Sequence, residues 1–353
     1  MADSYIVVLK DGTSPQTLLS KYQGTLKRTY RTALNGFSVR DMSEKQARRL
    51  AADPRVAYVQ RNLRMSIQDT QRGPVWGLDR IDQRNLPLDG GYTYPAAAAN
   101  NVHAYVIDTG IRTTHVDFEG RASNGYDFID DDPIADDCNG HGTHVASTLA
   151  GRNFGVAKRA QVVGVKVLGC DGFADGDSVI AGIDWVTANG VRPAVVNMSL
   201  GGQGQNPAQD AAIRRSIAAG FTFVVAAGNS GQDACGFTPA ALPEAITVGA
   251  TDRNDTRAQF NWPESSNFGQ CLDIWAPGGN ILAASHNGDR ATETRGGTSM
   301  ATPHVAGAAA LYLSANPNAS NLQVRDALVN GASTPFLRDI RLGSPNRLLR
   351  TGI

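Results

Sequence analysis

The sequence predicts an α/β protein built on a mostly parallel sheet and preceded by a small α+β domain. From residue 75 onward, apolar runs rich in β-forming residues alternate with helical segments, which indicates a parallel sheet covered by helices on both faces. The first ~62 residues instead follow the order β-α-β-β-α-β, the ferredoxin-like pattern. Residues 62–74 are polar and without periodicity, and we interpret them as a linker.

Local signals define the elements of the N-terminal part. Asn35-Gly36 lies between two β-rich runs and is a strong hairpin signal. Ser43-Glu44-Lys45-Gln46 has the pattern of a capping box, which predicts that a helix begins there. The predicted elements are strands over residues 5–9, 25–30, 36–40 and 56–60 and helices over residues 15–22 and 43–52.

The larger part of the chain has strands and helices in alternation. We predict strands over residues 104–107, 161–167, 194–198, 222–226 and 245–248 and helices over residues 141–150, 178–188, 207–219 and 298–313. In sheets of this kind, ligands bind beyond the carboxyl ends of the strands. Polar residues that directly follow a strand are therefore the first candidates for chemistry.

Length and composition describe a globular protein with room for one large domain and one small one. At 353 residues, with 41% hydrophobic and 19% charged residues, the chain is ordinary in composition. No apolar run approaches the ~18 residues of a membrane span, so we expect no membrane partner. The first residues lead straight into a strand without a charged leader or apolar core, so we expect no signal peptide within this sequence.

Charge is unevenly distributed along the chain. Residues 1–68 carry 12 Lys and Arg against 5 Asp and Glu, a net charge of +7, and the remainder carries 21 against 28, a net charge of −7. The two parts are therefore expected to attract each other. Nucleic-acid binding is the alternative for the basic part, but that part has no long Lys/Arg run and no stacking aromatic motif, so we expect no nucleic-acid partner.

The four cysteines have no C-x-x-C spacing, which argues against zinc or thioredoxin chemistry. Their even number fits two disulfides and an oxidising compartment, and four buried thiols are the alternative. The cysteines are Cys138, Cys170, Cys235 and Cys271.

Two acid–base candidates lie at a strand end and a helix start. Asp108 follows an apolar strand, where it can orient a histidine, coordinate a metal or cap the next segment. His141 and His144 open a helix three residues apart, without the Glu that a zinc protease needs. Gly140 and Gly142 expose His141, so we interpret it as the base and His144 as a structural histidine.

Ser299 is the candidate nucleophile. Small residues flank it where a loop enters an Ala-rich helix, whose unpaired N–H groups and positive dipole end suit a developing negative charge. The alternative is that Thr298 or Ser299 only caps the helix. Asn229 follows another buried strand, where it either closes a turn or donates its side-chain N–H to a tetrahedral intermediate, with the backbone N–H of Ser299 as second donor.

Together these residues form a constellation for acyl transfer. His141 takes the proton of Ser299 and delivers it to the leaving amine, while Asp108 fixes the histidine tautomer and stabilises the imidazolium. An α/β-hydrolase would need G-x-S-x-G and the order Ser, Asp, His, which this chain lacks.

The motifs around these residues resemble those of the subtilisin-like serine proteases (subtilases), within them the proteinase K branch and its aqualysin-type enzymes. The resemblance covers residues 75–350, and the N-terminal part resembles the family's inhibitory propeptide. It implies a three-layer subtilisin-like fold and a secreted, monomeric serine endopeptidase. The motifs are Asp108-Thr109-Gly110, Gly140-His141-Gly142-Thr143-His144-Val145-Ala146, Ala227-Gly228-Asn229 and Gly297-Thr298-Ser299-Met300-Ala301-Thr302-Pro303.

The resemblance also implies how the chain matures and binds substrate. Residues 1–68 would be the propeptide, a folding aid and inhibitor, and residues 69–353 the peptidase, with self-cleavage near Gln68–Asp69. Substrate peptide would pair with Gly172 and with Ser199, Leu200 and Gly201. Ala226, Ala227 and Gly228 would line a P1 pocket of broad specificity that favours apolar or aromatic side chains.

Two disulfides and structural calcium follow from the resemblance as well. The implied bridges are Cys138–Cys170 and Cys235–Cys271. One implied calcium site, rich in hard oxygen donors, comprises Asp79, Asp82, Gln83, Asp89 and the Gly91 carbonyl. Another comprises Asp273 with the carbonyls of Pro243 and Ala245. The alternative for Asp79 and Asp82 is that they are solvated loop acids.

Two departures from the family pattern stand out. Gly296 takes the place of a Ser or Asn, so a hydrogen bond near the nucleophile is expected to be missing. Residues 261–265 are an insertion within the second disulfide loop. Two other functions stay open: a degenerate, non-catalytic binding protein held by its propeptide, and a peptide ligase that uses the same acyl-enzyme.

Overall fold

The structure is a computed structural model that describes residues 3–19, 21–62, 67–260, 263–334 and 337–351. The chain divides into two compact units, Met1–Ile67 and Gln68–Ile353. Of the predicted insertion, Asn261 and Trp262 lie outside the described residues. Within the described residues, no helix combines the length and the hydropathy needed to cross a membrane.

The N-terminal unit has the predicted ferredoxin-like order. Its sheet runs β2-β3-β1-β4 with antiparallel neighbours. Ser43 and Gln46 form the predicted capping box at the start of α2, and Val7, Phe37 and Leu50 pack in the core. The elements are β1 (Tyr5–Leu9), α1 (Gln16–Leu19), β2 (Thr25–Tyr30), β3 (Gly36–Arg40), α2 (Glu44–Ala51) and β4 (Val56–Arg61).

The larger unit contains thirteen of the strands and six of the α-helices assigned among the described residues. Its strands are β5 (Gln68–Arg72), β6 (Gly91–Pro95), β7 (His103–Asp108), β8 (Ala122–Asp127), β9 (Gln161–Lys166), β10 (Ala194–Met198), β11 (Gly202–Gln203), β12 (Thr222–Ala226), β13 (Phe237–Thr238), β14 (Ile246–Thr251), β15 (Ile274–Pro277), β16 (Ile281–Ala284) and β17 (Thr292–Arg295). Its helices are α3 (Trp76–Ile81), α4 (His141–Ala150), α5 (Gly176–Asn189), α6 (Pro207–Ala218), α7 (Thr298–Ala315) and α8 (Asn321–Gly331).

The central sheet has seven strands in the order β15-β14-β12-β10-β7-β9-β8, and every neighbouring pair is parallel. Successive residues of β7 face opposite sides, as the alternation of side chains along a strand requires. Ala104 and Val106 pack in a core that includes α4, α7 and α8, whereas Tyr105 and Ile107 pack with α5 and α6. The predicted parallel sheet with helices on both faces is confirmed.

The carboxyl ends of these strands bring the candidate residues to one edge of the sheet. Asp108 ends β7, Ser199 directly follows β10, and Asn229 lies three residues beyond the end of β12. After β7 the chain forms β8 and β9 on one side of that strand and then continues to β10 on its other side. Ligands bind at the point where the strand order reverses in this way. The helices α4 and α7 begin at this edge with His141 and with Thr298-Ser299.

Part of the predicted linker is structured, which corrects the interpretation of residues 62–74. Residues Gln68–Arg72 form β5, which pairs antiparallel with β6. Exposed and half-buried residues alternate along β5, and all of its side chains are polar. It therefore lacks the apolar face by which strands are predicted.

Both implied disulfides are present. Cys138 is bonded to Cys170 and Cys235 to Cys271, closing loops with sequence separations of 32 and 36 residues. The first bridge joins the loop before α4 to the turn that follows β9, so both ends of it lie at the edge where the candidate residues meet.

Candidate active site

His141 and Asp108 are hydrogen-bonded, with 2.7 Å between Nδ1 of the histidine and Oδ1 of the aspartate. The Asp108 side chain is fully buried, and its Oδ1 also accepts from the backbone N–H of Thr109 at 2.8 Å. Burial works to lower the pKa of His141, but the negative charge of Asp108 and its hydrogen bond outweigh burial, and the pKa is raised. The pair therefore stabilises a proton on the imidazole.

His144 has a different environment. Its side chain is fully buried, and Nε2 is 2.9 Å from the carbonyl oxygen of Ile281. Burial lowers its pKa to about 3. It is neutral at any pH near 7 and has the surroundings of a structural histidine.

Ser299 lies in the first turn of α7 and is half-buried. Its hydroxyl donates to the carbonyl oxygen of Ser199 at 3.1 Å, and the hydroxyl of Ser199 donates back to the carbonyl oxygen of Ser299 at 2.9 Å. Asn197 Nδ2 donates to Ser199 Oγ at 2.9 Å. Among the hydrogen bonds of the described residues, none joins Ser299 and His141. Catalytic hydrogen bonds are often long without substrate and tighten when it binds.

Asn229 Nδ2 and the backbone nitrogen of Ser299 both lie close to Gly297. Oδ1 of Asn229 accepts from both the backbone N–H and the hydroxyl of Thr298, at 2.8 and 2.9 Å. A Cβ built on Gly297 would lie 3.5 Å from Asn229 Nδ2 and 3.6 Å from the Ser299 nitrogen. An oxyanion hole needs two such N–H donors beside a serine hydroxyl.

The segments expected to bind peptide lie around this point. Ser199, Leu200 and Gly201 follow β10, and Ser199 is buried whereas Gly201 is exposed. Gly172 has a φ of +82° in a turn closed by its N–H to the carbonyl of Gly169, and a Cβ on it would lie 3.5 Å from Asn139 Nδ2.

Ala226, Ala227 and Gly228 end β12 and begin the turn to Asn229. Ala226 and Ala227 are buried. Gly228 has a φ of +99°, and a Cβ there would lie 2.5 Å from Nδ2 of Asn267, so the position requires glycine.

Gly296 is exposed beside Phe260, and a Cβ on it would lie 3.1 Å from Cδ1 of that ring. A side chain here would need the ring to give way slightly. The predicted loss of a hydrogen bond at this position stays a prediction.

The first implied calcium site has a donor set that fits a hard cation. Asp79 accepts from the N–H groups of Asp89 and Gly90, and Asp89 accepts from Gly91. Gln83 Oε1 also accepts from Asp89 at 3.2 Å.

Asp82 completes this set. Its Oδ2 accepts from Thr93 at 2.7 Å, whereas its Oδ1 is buried without a hydrogen-bond partner among the described residues. Burial, followed by the charges of Asp89 and Asp79, raises the pKa of Asp82 to about 6. A cation near this orphaned oxygen would satisfy it. As the side chains stand, the described residues contain no group of three or more His, Cys, Asp or Glu arranged to hold a metal ion.

The second implied calcium site does not fit. Arg325 of α8 places its guanidinium against the same donors: Nε donates to Asp273 Oδ1 at 2.7 Å, and Nη1 donates to the carbonyl oxygen of Pro243 at 3.3 Å. The other carboxylate oxygen of Asp273 accepts from the N–H of Thr247. The nitrogen of Ala245 donates to the carbonyl oxygen of Leu242, and none of the hydrogen bonds of the described residues joins the Ala245 carbonyl oxygen to Arg325. A fixed positive charge thus occupies the side of Asp273 where a calcium ion was expected.

The expected cleavage site lies at the start of β5. Gln68 and Asp69 pair with Pro95 and Tyr94 of β6. The residues just after the expected cut are therefore held within the larger unit.

Several residues that organise the site were not predicted. Thr298 orients Asn229, and Asn267 supports the same turn by accepting from the N–H groups of Ser230 and Gln232. Asp137 accepts five hydrogen bonds in the loop before His141. Thr, Asn and Asp in loops are so common as caps and turn residues that the sequence offers no signal to single these out.

Comparisons with known proteins agree with this geometry. Residues 100–351 match the family model described as "Subtilase family", and residues 4–68 match the model described as "Peptidase inhibitor I9". An "Extracellular serine proteinase" of Thermus sp. (strain Rt41A) is 51% identical over 92% of this chain and 77% of its own length. An "Alkaline serine exoprotease A" of Vibrio alginolyticus is 44% identical over 99% of this chain and 67% of its own length.

A solved structure is also similar. The crystal structure of a cold adapted subtilisin-like serine proteinase covers 79% of this chain and 98% of its own, with 49% identity and a TM-score of 0.75. The family match covers more than half of the chain and includes every residue of the Asp108, His141, Asn229 and Ser299 constellation. The chain belongs to the subtilase family, and it is a serine endopeptidase that carries a peptidase inhibitor I9 domain at its N-terminal end.

Proposed function

We propose that this subtilase is a secreted endopeptidase, made as a self-cleaving zymogen, in which Asp108, His141 and Ser299 form the catalytic triad. The observation that carries the proposal is the 2.7 Å hydrogen bond between His141 Nδ1 and Asp108 Oδ1. This bond holds the proton on Nδ1 and leaves Nε2 free to accept the proton of a serine. Asp108 then stabilises the imidazolium that forms.

Catalysis follows from these positions. Ser299 Oγ turns from the Ser199 carbonyl and attacks the carbonyl carbon of the scissile peptide bond, while its proton moves to His141 Nε2. The oxyanion that forms accepts hydrogen bonds from Asn229 Nδ2 and from the Ser299 backbone N–H. The C–N bond then breaks, and His141 gives its proton to the leaving amine.

Deacylation repeats these steps with water. A water molecule attacks the acyl-enzyme carbonyl and loses a proton to His141. When the second tetrahedral intermediate breaks down, the proton returns to Ser299 Oγ and the carboxylic acid product leaves. The same two N–H donors stabilise this second oxyanion.

Substrate would bind as an extended peptide. Residues 199–201 follow an inner strand of the sheet, and Gly172 lies on a separate turn, so the peptide would pair with backbone from both. Ala226, Ala227 and Gly228 would form one wall of the P1 pocket. Their small size favours broad specificity for apolar and aromatic side chains.

The zymogen proposal rests on the N-terminal unit. Residues 4–68 match an inhibitor family, and residues 1–68 carry a net charge of +7 against −7 for the rest. We place the self-cleavage near Gln68–Asp69, with the I9 domain acting as the enzyme's own inhibitor until it is removed.

Calcium would stabilise the peptidase at the loop between α3 and β6. Asp79, Asp82, Gln83 and Asp89, with the Gly91 carbonyl, supply the oxygen donors that Ca²⁺ prefers. The buried, unpartnered Oδ1 of Asp82 supports this assignment. The ion would be structural and would take no part in the reaction.

Secretion is supported by two features. The Thermus relative is named an extracellular proteinase, and this chain closes two disulfides of its own. Disulfides persist in oxidising compartments outside the cytosol. We expect the mature enzyme to be a monomer.

The test is to incubate the purified chain with calcium and a serine-reactive fluorophosphonate and to measure the intact mass. We expect a loss of mass that corresponds to cleavage near Gln68 and a mass gain of one phosphonyl group at Ser299. Ser299→Ala is the control and should show neither change. If the chain that retains Ser299 also shows neither the cleavage nor the added phosphonyl group, the proposed mechanism is wrong.

A further inference from the structure

A single buried carboxylate, that of Asp137, holds both sides of His141. Asp137 is 8% exposed. Its Oδ1 accepts from the N–H groups of Asn139 (3.0 Å) and Gly140 (2.8 Å), and its Oδ2 accepts from the N–H (2.9 Å) and hydroxyl (2.6 Å) of Thr143. The chain just before and just after the histidine is therefore bonded to one group.

The same carboxylate reaches the segment of Asp108. The hydroxyl of Thr109 donates to Asp137 Oδ1 at 2.8 Å and accepts from the N–H of Gly142 at 2.9 Å. The backbone N–H of Thr109 donates to Asp108 Oδ1. A closed set of hydrogen bonds thus joins the two partners of the Asp108–His141 bond.

The backbone is closely packed at two glycines beside this set of hydrogen bonds. A Cβ on Gly110 would lie 2.6 Å from the carbonyl oxygen of Ala135 and 2.7 Å from that of Asp136. A Cβ on Gly142 would lie 2.1 Å from the carbonyl oxygen of Gly110. Three chain segments therefore meet backbone to backbone, and a side chain has little room to replace the bonds to Asp137.

We propose that Asp137 is a positioning residue for catalysis, which fixes the separation and orientation of Asp108 and His141. It contacts neither Ser299 nor the peptide-binding segments by any hydrogen bond of the described residues. The proposal rests on the triad proposed above, because it assigns to Asp137 the placement of two members of that triad.

A carboxylate is needed because the site contains five donors. Two oxygens can accept all five hydrogen bonds, whereas the amide of an asparagine would turn N–H groups toward the N–H of Thr143. Among the ion pairs of the described residues none includes Asp137, so its hydrogen bonds come from neutral groups. Thr143 lies in the first turn of α4, where the helix dipole also favours negative charge.

A role of Asp137 in positioning can be distinguished from a role in loop stability alone, because its charge also acts on the pKa of His141. The groups that face His141 are Asp108 at the end of β7, Asp137 in the preceding loop, Arg295 at the end of β17 and His144 on its own helix. The ring of His286 also lies against Gly140. Among these groups Asp108 and Asp137 raise the pKa of His141, and Arg295 lowers it.

Removing the charge of Asp137 should therefore lower the pKa of His141. Because the attack needs neutral His141, the acid limb of kcat/KM would move to lower pH. Asp136 provides the matched control, since it carries an equal charge one residue away, is exposed, and takes part in no side-chain hydrogen bond or ion pair of the described residues.

The first experiment compares the kinetics of Asp137→Asn with those of Asp136→Asn in the mature enzyme. For Asp137→Asn we expect kcat to fall on the order of 10- to 10²-fold, the size of effect that misplacement by about 1 Å produces, with KM within about twofold. Its acid limb should also move to lower pH. Asp136→Asn should change neither. A normal kcat in Asp137→Asn, or an equal pH shift in both variants, would overturn the proposal.

Substitutions of Thr109 test the link that its hydroxyl makes between Asp137 and Gly142. Thr109→Val removes the hydroxyl that joins Asp137 to Gly142, and Thr109→Ser keeps it. We expect kcat to fall in the valine variant and to recover in the serine variant. A loss equal in both variants would contradict this role of Thr109, because the serine variant keeps the hydroxyl that joins Asp137 to Gly142.

A last measurement does not depend on activity or maturation. In full-length chain with Ser299→Ala, NMR titration reports the pKa of His141 and the proton that it shares with Asp108. Adding Asp137→Asn should lower that pKa and change the proton signal, and adding Asp136→Asn should not. If the two spectra agree, Asp137 does not position the pair, whereas failure of Ser299 to react with fluorophosphonate would refute the proposed function instead.

Discussion

Thr298 donates both its backbone N–H and its hydroxyl to Oδ1 of Asn229, at 2.8 and 2.9 Å. Because that oxygen accepts both hydrogen bonds, the N–H₂ of the amide is on the side away from Thr298. Its nitrogen lies near Gly297, as does the Ser299 nitrogen. The residue before the proposed nucleophile thus orients the proposed oxyanion donor. One short segment therefore contains Ser299, supplies its backbone N–H as one proposed donor, and orients the amide of Asn229, which is the other.

Asn229→Ala should lower kcat by about 10² to 10³ with little change in KM, because the lost donor acts on the transition state. That magnitude is the one measured for subtilisin, a member of the same family. Thr298→Val removes two hydrogen bonds, the one donated to Asn229 and the one accepted from the N–H of Gly228, and should lower kcat about 5- to 10²-fold, since the N–H of Thr298 remains. Thr298→Ser keeps the hydroxyl and serves as the control. Steady-state kinetics on a peptide substrate measure all three, and a near-normal kcat for Asn229→Ala would disprove the oxyanion role.

The pH dependence of kcat/KM should report His141. Burial lowers the pKa of this histidine, but the charge and hydrogen bond of Asp108 prevail, so its pKa lies above the ordinary value of about 6.5. Neutral His141 accepts the serine proton, so kcat/KM should fall as pH drops through that raised pKa. The other buried histidines near the helices, His144 and His304, have pKa values lowered to about 3 and about 4. Both therefore stay neutral over the pH range in which the raised pKa of His141 is titrated.

Asp108→Asn provides the check on that assignment. It removes the charge that raises the pKa of His141, so whatever activity remains should have its acid limb at lower pH. An unmoved limb would mean that another group controls it.

The buried elements of the fold were predictable to within a few residues. The strands β10 and β12 are apolar apart from Asn197 and Thr222, and burial on both sides of a parallel sheet requires such runs. The edge strands β8 and β15 were missed. β8 is largely polar, with the sequence ASNGYD, and β15 has only four residues.

Candidate residues for the reaction could be named from the sequence, and the residues that support them could not. Asp108, His141, Asn229 and Ser299 stand at strand ends and helix starts, where position and residue type together indicate chemistry. The supporting contacts join residues far apart in the chain, such as Thr109 with Asp137, 28 residues away, and Asn229 with Thr298, 69 residues away. Nothing local in the sequence specifies such pairings.

Breaking the contact between Arg80 and Asp255 should strongly destabilise the fold. Arg80 is fully buried, and its Nε and Nη2 bond to the two oxygens of Asp255 at 2.7 and 3.0 Å. Asp255→Ala would leave a buried guanidinium without its counter-charge, which should cost about 3–5 kcal/mol of unfolding free energy. The surface pair Arg152–Glu119 is the control, since Glu119→Ala should cost at most about 1 kcal/mol. Denaturant unfolding of the Ser299→Ala chain measures both, and equal costs would contradict the expectation.

Calcium binding should distinguish the two implied sites, because Arg325 holds a positive charge against Asp273 and the Pro243 carbonyl. Calorimetric titration of the Ser299→Ala chain should find calcium bound at the loop of Asp79 and Asp82 and lost in Asp82→Asn. At a calcium concentration 100 times Kd, that binding should add about 2.7 kcal/mol to the unfolding free energy.

Arg325→Ala should open Asp273 to a second ion, because it removes the fixed charge while leaving the carboxylate and the carbonyls in place. Arg214→Ala is the matched control: Arg214 pairs with Glu244 at the surface and makes no contact with Asp273 among the described ion pairs. It should leave the number of bound ions unchanged. If the parent chain already binds a second ion that Asp273→Asn removes, Arg325 does not take the place of calcium there. The guanidinium would then have to move aside for the ion, and Arg325→Ala would strengthen calcium binding without adding a site.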